Sequence, residues 1–119
     1  MMNDKGRLGK DGEAWAAQYL KNEGFKILDS NFRTRWGEID IVARKKREYF
    51  FVEVKTRQTL THGHPLESLP FYRIERLKKM AQMYALKNHL TEIPLHLSLL
   101  GIDFSGQEPK FFFIPDIVD

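Results

Sequence analysis

The sequence predicts an α/β domain in which helices flank a mixed five-stranded sheet. Helical periodicity and strand-like alternation follow each other in the order helix, three strands, helix, two strands. The first three strands have short connections, which predicts an antiparallel meander. The segment after the third strand is long enough to contain a helix and to cross over to a parallel strand. The 119 residues are expected to form one domain, residues 1–119.

Two segments have the periodicity of amphipathic helices. In the first, residues 7–23, apolar side chains recur at steps of three and four, and Gly24 suits a C-terminal cap. Glu13 lies at the border of its apolar stripe. In the second helix, Ser68 is expected to be the N-cap and Pro70 to lie in the first turn. The apolar stripe of this helix consists of Ile74, Leu77, Ala81, Tyr84 and Ala85.

Five segments have the character of strands. A polar interruption at residues 29–31 predicts a bulge in the first strand. The third strand is continuously apolar at residues 50–52, which is typical of a central strand covered on both faces. Basic residues at positions 44–47 form most of the turn between the second and third strands. The predicted strands span residues 25–33, 38–43, 49–56, 95–102 and 111–114.

The second and third strands carry an acidic motif. Because strand side chains alternate, Glu38 and Asp40 are expected to share one face with Val42, and Ile39 and Ile41 are expected to share the other. By the same rule, the third strand places Phe51, Glu53 and Lys55 together on one face.

These residue types fit metal-dependent hydrolysis of a phosphodiester. Asp40 and Glu53 are candidate ligands for Mg²⁺, which prefers carboxylate oxygens. Lys55 could orient the attacking water or stabilise the anionic transition state. Glu13 could act as an additional or outer ligand, and Glu38 is a second candidate on the face of Asp40.

The same pattern also fits a hairpin with one solvated face, on which Glu53 and Lys55 form a surface ion pair. Phe51 and Val42 lie on the acidic face, however, and favour a covered face, where a carboxylate needs a partner or a metal ion. For Glu13, a solvated position at the edge of the helix is the competing interpretation.

The charge distribution is more informative than the net charge. The chain has 19 Lys and Arg against 16 Asp and Glu, and a net charge of +3 favours an anionic partner only weakly. Arg33, Arg35 and Arg57 lie close to the acidic motif and are candidates for phosphate contacts. The basic turn most simply fits a solvated hairpin tip, with a phosphate contact as the alternative. Trp36 and residues 111–113 are expected in core or strand packing rather than in base stacking.

Composition excludes several classes of protein. The chain has no cysteine, which excludes disulfides and thiolate zinc sites. Its start is polar, and no apolar run reaches the length of a membrane span. A cytoplasmic protein without a membrane partner is therefore expected. His62 and His64 have the spacing of a metal pair, but a polar loop is the simpler interpretation.

Four motifs resemble the YraN-like family of small bacterial proteins. The motifs are Gly9-x-x-Gly12-Glu13-x-x-Ala16, Asn31-Phe32-Arg33-Thr34-Arg35, Gly37-Glu38-Ile39-Asp40 and Phe51-Val52-Glu53-Val54-Lys55-Thr56-Arg57. That family is similar to the archaeal Holliday-junction resolvases and to the restriction-endonuclease-like nucleases with a PD-(D/E)xK site. The resemblance extends from about Leu8 to the end of the chain and is strongest up to Arg57.

The resemblance implies a restriction-endonuclease-like three-layer fold. It implies that Asp40, Glu53 and Lys55 form the nuclease triad, with Glu13 as the helical acid. It further implies Mg²⁺ or Mn²⁺ as the cofactor, DNA as the substrate with branched DNA as one candidate form, and a homodimer.

The chain departs from the family pattern at two places. Arg73-Ile74 stands where the resemblance leads us to expect a lysine–glutamine pair, and Ser98 stands where an aspartate is frequent. The four proposed active-site residues are unaffected. We therefore expect a Mg²⁺-dependent endonuclease. The alternatives are a non-catalytic nucleic-acid-binding module and a protein-interaction domain.

Overall fold

The structure is a computed structural model that describes residues 4–57 and 69–118, with side chains described from residue 12 onward in the first helix. The predicted loop histidines, His62 and His64, and the predicted cap Ser68 lie outside the described residues. In chain order the elements are α1 (Asp4–Asn22), β1 (Lys26–Thr34), β2 (Gly37–Lys45), β3 (Glu48–Arg57), α2 (Phe71–Lys87), β4 (Leu95–Asp103) and β5 (Lys110–Ile114).

The five strands form one mixed sheet in the order β1-β2-β3-β4-β5. The strands β1, β2 and β3 form an antiparallel meander, β4 runs parallel to β3, and β5 is antiparallel to β4. The predicted meander and the predicted crossover are both confirmed. β3 is the central strand, and it is buried from Phe50 to Glu53.

The two helices cover opposite faces of the sheet. The core on the α1 side includes Ala16, Leu20, Ile41, Val52 and Ile102. The core on the α2 side includes Leu77, Tyr84, Val42, Phe51 and Leu97. Neighbouring residues of β2 and β3 thus enter different cores, as the alternation of strand side chains requires. This arrangement confirms the predicted three-layer α/β fold.

The start of α2 differs from the prediction. Pro70 is the N-cap residue, with φ −73° and ψ 157°, and no side chain among the described residues caps the helix. The prediction that Pro70 lies in the first turn is therefore wrong, because the extended backbone of this proline precedes the helix. Within the helix, Met80 is buried, whereas Ile74 of the predicted stripe is only partly buried.

The strands β1 and β2 are irregular where the sequence is polar. The pairing register shifts between Ile27 and Asp29, which confirms the predicted bulge. The prediction that Ile39 and Ile41 share a face is wrong, because Ile39 packs in the α2-side core and Ile41 in the α1-side core. The regular ladder between β2 and β3 extends only to the pair of Ile41 and Val52, so the strands lose their regular alternation beyond it.

The last described residues are fastened to β4. Ser98 is fully buried, and its Oγ donates a hydrogen bond of 2.7 Å to the carbonyl oxygen of Pro115. A carboxylate could not donate this bond, which gives the departure at Ser98 a structural reason. The His96 ring contacts Asp116 and Glu48 at 2.6 Å each. Burial alone would lower the pKa of His96, but the hydrogen bonds to these two acids raise it above its ordinary value.

Helix α1 approaches β3 closely at Gly12. This glycine is buried, and a Cβ atom at its position would lie 2.4 Å from Cγ2 of Thr56. Only a residue without a side chain allows this approach. The contact brings the next residue, Glu13, close to the sheet. Neither described helix combines the length and the apolar character that a membrane crossing requires.

Replacing Gly12 with alanine should lower the free energy of unfolding by about 1–3 kcal/mol, because the overpacked Cβ outweighs the gain in helix propensity. In a Thr56→Ser background, which lacks Cγ2, the same substitution should be neutral or stabilising. Urea unfolding of the four variants measures the coupling. Equal losses in both backgrounds would show that Thr56 does not limit residue 12.

Candidate metal centre

Three carboxylates converge where β2 begins. Glu13 of α1 and Glu38 and Asp40 of β2 each offer one oxygen, and these oxygens lie within 4.8 Å of one another. All three residues are partly buried. We call this group the acidic cluster. Carboxylate oxygens at this spacing can share one hard cation such as Mg²⁺. Among the predicted ligands, Glu13 and Asp40 belong to the cluster, and Glu38, the second candidate, completes it.

Asn31 connects two of these acids. Its backbone is in the left-handed region, with φ 57°, which asparagine adopts more readily than most residues. Nδ2 donates to Oε2 of Glu13 at 3.3 Å. In the amide orientation that satisfies both atoms of the side chain, Nδ2 donates to Oε1 of Glu13 at 3.0 Å and to Oε1 of Glu38 at 3.3 Å. The sequence predicted an irregular strand here but not this contact.

Asp40 is the acid most affected by its surroundings. Burial raises the pKa of Asp40 most, the charge of Glu53 comes next, and Glu13 and Glu38 add smaller effects, so that the pKa is about 7. The N–H of Val54 opposes this shift by donating to Oδ2 of Asp40 at 2.8 Å. A cation between these carboxylates would relieve their repulsion. The donor set, entirely of carboxylate oxygens, therefore fits a hard divalent cation.

Glu53 adjoins the acidic cluster from β3. Glu53 is buried at 7% exposure, and Nη2 of Arg73 donates a hydrogen bond to its Oε1. Arg73, one of the departures from the family pattern, thus supplies the charge that a buried carboxylate needs. A cleft of about 220 Å³ joins Asp40 and Glu53 and is also lined by Arg76 of α2. The predicted ligand Glu53 therefore lies beside the acidic cluster and is paired with an arginine.

Lys55 lies two residues beyond Glu53 on β3. The ladder from β3 to β4 is regular here, since Glu53 pairs with Leu99 and Lys55 pairs with Gly101. The regular alternation therefore keeps Glu53 and Lys55 on one face, as the sequence indicated. Lys55 is half-buried.

The three candidate arginines lie at the end of the sheet that carries the acidic cluster. Arg33 pairs with Glu38, with 3.1 Å between Nε and Oε2. Arg35 is exposed in the turn between β1 and β2. Arg57 ends β3 opposite Asp103, and its charge contributes to the lowered pKa of that aspartate, which chiefly reflects hydrogen bonds from Ser105. Trp36 is 45% exposed in the turn beside Arg35, so the prediction that it packs in the core or in a strand is wrong.

The fold and the acidic cluster define a three-layer α/β protein with a carboxylate site at one end of a mixed sheet. A family model described as "Uncharacterised protein family UPF0102" matches residues 12–104, and the chain belongs to this family. The matched span includes the acidic cluster, Glu53, Lys55 and Arg73. Membership confirms the YraN-like resemblance.

Several curated relatives are similar to the chain over nearly its whole length. A UPF0102 protein of Syntrophotalea carbinolica is 39% identical over 112 residues, which is 94% of this chain and 91% of the relative. The Dictyoglomus turgidum protein is 37% identical over 117 residues, covering 97% and 98%. The Alkaliphilus oremlandii protein is 40% identical over 110 residues and 92% of both chains.

Asp40 should make the stability of the metal-free protein depend on pH. Because the pKa of Asp40 is raised from 3.8 to about 7 in the folded state, the native protein binds this proton more tightly. Its stabilising contribution is complete below pH 4 and is lost as the pH rises through 7. Relative to the wild type, Asp40→Asn should gain up to about 4 kcal/mol between pH 4 and pH 8. Urea unfolding in EDTA across this range checks the difference, and parallel profiles would contradict it.

Removing the guanidinium of Arg73 should destabilise the fold. In Arg73→Met, Glu53 stays buried without its counter-ion, and the free energy of unfolding should fall by about 1–3 kcal/mol. This is less than for a fully buried pair, because the Arg73 side chain is 37% exposed. A second substitution, Glu53→Gln, should restore most of the loss. A double-mutant cycle in urea measures the coupling, and additive effects would argue against a significant pair.

Proposed function

We propose that this chain is a Mg²⁺-dependent endonuclease that hydrolyses phosphodiester bonds in DNA, with branched DNA among its substrates. The observation that supports the proposal most is the convergence of Glu13, Glu38 and Asp40 on one point beside Glu53. The likeness of the motifs to PD-(D/E)xK nucleases supports the same chemistry.

The acidic cluster would hold the cation, with Mn²⁺ able to replace Mg²⁺, since both accept carboxylate oxygens. When bound, the cation would supply positive charge to the phosphate and lower the pKa of a coordinated water. Asp40 must be ionised to serve as a ligand, and its pKa of about 7 allows this at and above neutral pH. The neighbouring Glu53 would add negative charge next to the cation, as its effect on Asp40 indicates.

Other residues of the chain would position the reacting groups. Lys55 would orient the attacking water or stabilise the negative charge that develops on the phosphate. Asn31 would keep the carboxylates of Glu13 and Glu38 together through its amide. Arg73 would hold Glu53 in place through their ion pair.

Arg33, Arg35 and Arg57 are the proposed phosphate contacts. They lie at the strand ends nearest the acidic cluster, where a DNA backbone would have to pass. Such contacts position the substrate without reading its sequence. The homodimer implied by the resemblance, and a cytoplasmic location, remain predictions.

The experiment compares cleavage of linear, nicked, flapped and four-way DNA with Mg²⁺, with Mn²⁺ and with EDTA. We expect cleavage of at least one form, only with metal. Asp40→Asn and Lys55→Met should each lower the rate of cleavage by about a hundredfold or more. The first substitution removes a metal ligand, and the second removes the ammonium group that orients the water. The matched control is Lys78→Met, an exposed lysine of α2 outside the acidic site, which should retain activity. Circular dichroism checks that each variant folds.

Two results would contradict the nuclease proposal. Salt-sensitive binding to DNA without cleavage of any form would favour a non-catalytic nucleic-acid-binding module. Absence of both cleavage and binding would favour a protein-interaction domain. Calorimetric titration with Mn²⁺ tests the site independently, because Asp40→Asn should weaken metal binding whether or not DNA is cleaved.

A further inference from the structure

A second cleft adjoins the cleft that contains Asp40 and Glu53. We call it the aromatic cleft; its volume is about 300 Å³, and its lining residues are Trp36, Phe71, Tyr72, Glu75, Arg76 and Lys79. Arg76 also lines the cleft that contains Asp40 and Glu53. Gly37, the neighbour of Trp36 in the chain, lines that acidic cleft as well. A ligand in the aromatic cleft would therefore lie next to the acidic cluster and Glu53.

Three aromatic rings of this cleft face solvent. Phe71 is 74% exposed, Tyr72 is 61% exposed and Trp36 is 45% exposed. Aromatic side chains carry large apolar surfaces that proteins usually bury. A group of exposed rings around a concave surface marks a binding site more often than an isolated exposed ring does.

Cations lie close to two of these rings, Trp36 and Tyr72. Nζ of Lys79 lies 5.1 Å from the ring centroid of Trp36, and Cζ of Arg35 lies 5.6 Å from the same centroid. Cζ of Arg76 lies 5.8 Å from the ring centroid of Tyr72. The lining itself has two cations, Arg76 and Lys79, against one acid, Glu75, and Arg35 adds a third positive charge next to Trp36. Exposed rings with interleaved cations match a ligand that has both flat aromatic faces and negative charge.

We propose that the aromatic cleft binds unpaired nucleotides next to the phosphodiester that is cleaved. The inference rests on the proposed function for the position of that phosphodiester. Bases inside a duplex are covered by their neighbours, whereas an unpaired base can stack on a protein ring. Its phosphate would meet Arg35, Arg76 or Lys79. The substrate class is therefore DNA with unpaired nucleotides at the cleavage site.

The charges of the cleft favour this occupant over an apolar protein surface. Burying Arg35, Arg76 and Lys79 against apolar side chains would remove them from water without a partner, which is costly. A nucleic acid brings a phosphate with each base, so the same cations gain counter-charges while the rings are covered.

The first experiment measures the fluorescence of Trp36. The chain has two tryptophans, so Trp15→Phe leaves Trp36 as the only one. This variant is titrated in EDTA with a single strand of about ten nucleotides, with a duplex that carries a flap, and with a blunt duplex. We expect saturable quenching of the Trp36 fluorescence by the first two DNAs and much weaker quenching by the blunt duplex.

The second experiment measures affinity by fluorescence anisotropy of labelled DNA, again in EDTA. Trp36→Ala and Phe71→Ala should each weaken binding of the single strand and of the flap by about tenfold, and leave duplex binding nearly unchanged. Trp36→Phe keeps a ring and should retain most of the affinity. Leu86→Ala, a largely exposed apolar residue of α2 outside the cleft, is the matched control and should have no effect.

Three outcomes would overturn the inference. The first is unchanged affinity for DNA in Trp36→Ala and Phe71→Ala, and the second is an equal loss of affinity for paired and unpaired DNA in these variants. The third is that these variants lose self-association in sedimentation without any loss of DNA binding. The last would identify the cleft as an interface between copies of the chain. Because binding is measured without metal, the two proposals fail separately. Selective binding without cleavage supports the cleft and contradicts the nuclease, whereas cleavage without a preference for unpaired DNA contradicts the cleft alone.

Discussion

The repulsion among four carboxylates is the constraint on which the rest of the site depends. Glu13, Glu38, Asp40 and Glu53 lie close enough for the other three charges to raise the pKa of Asp40. Three hydrogen-bond donors from separate elements contact these acids. They are the amide of Asn31 on Glu13, the backbone N–H of Val54 on Asp40 and the guanidinium of Arg73 on Glu53. These contacts do not offset the burial of Asp40 and the repulsion together, since burial first and then the neighbouring charges keep the pKa of Asp40 at about 7. The remaining electrostatic strain is what a cation would relieve.

The position of the site follows from how the layers meet. The ladder between β2 and β3 is regular up to the pair of Ile41 and Val52. Beyond this pair, the carboxylate of Asp40 accepts a hydrogen bond from the N–H of Val54. Helix α1 crosses β3 at Gly12, close enough for Glu13 to join Asp40 from the first layer. Helix α2 brings Arg73 to Glu53 from the other side. The acidic cluster, Glu53 and Arg73 therefore bring together residues of all three layers, with Glu13 supplied by α1 and Arg73 by α2.

Sequence periodicity predicted the structure wherever the backbone stays regular. On β3 the ladder is continuous, so Glu53 and Lys55 share a face as alternation requires. The same rule failed for Ile39, which packs in the α2-side core. Next to it, Asp40 accepts a hydrogen bond from the N–H of Val54 on β3, and β2 departs locally from regular alternation. Sequence periodicity cannot predict such a departure. The contacts of Asn31 and Arg73 join residues far apart in the chain, and periodicity contains no information about them. Trp36 was expected in core or strand packing, whereas it is 45% exposed in the tight turn between β1 and β2.

The parallel pairing of β3 with β4 has a bearing on the order of folding. The hairpins of the meander join neighbouring segments, whereas β4 reaches β3 only after the whole crossover has closed, which costs more conformational entropy. Glu38, Asp40 and Glu53 belong to the meander, but Arg73 belongs to the crossover. The acids can thus assemble while their counter-ion is still on an unformed segment. The counter-charge of Glu53 is therefore supplied by the crossover, whose closure costs more entropy than that of the hairpins of the meander.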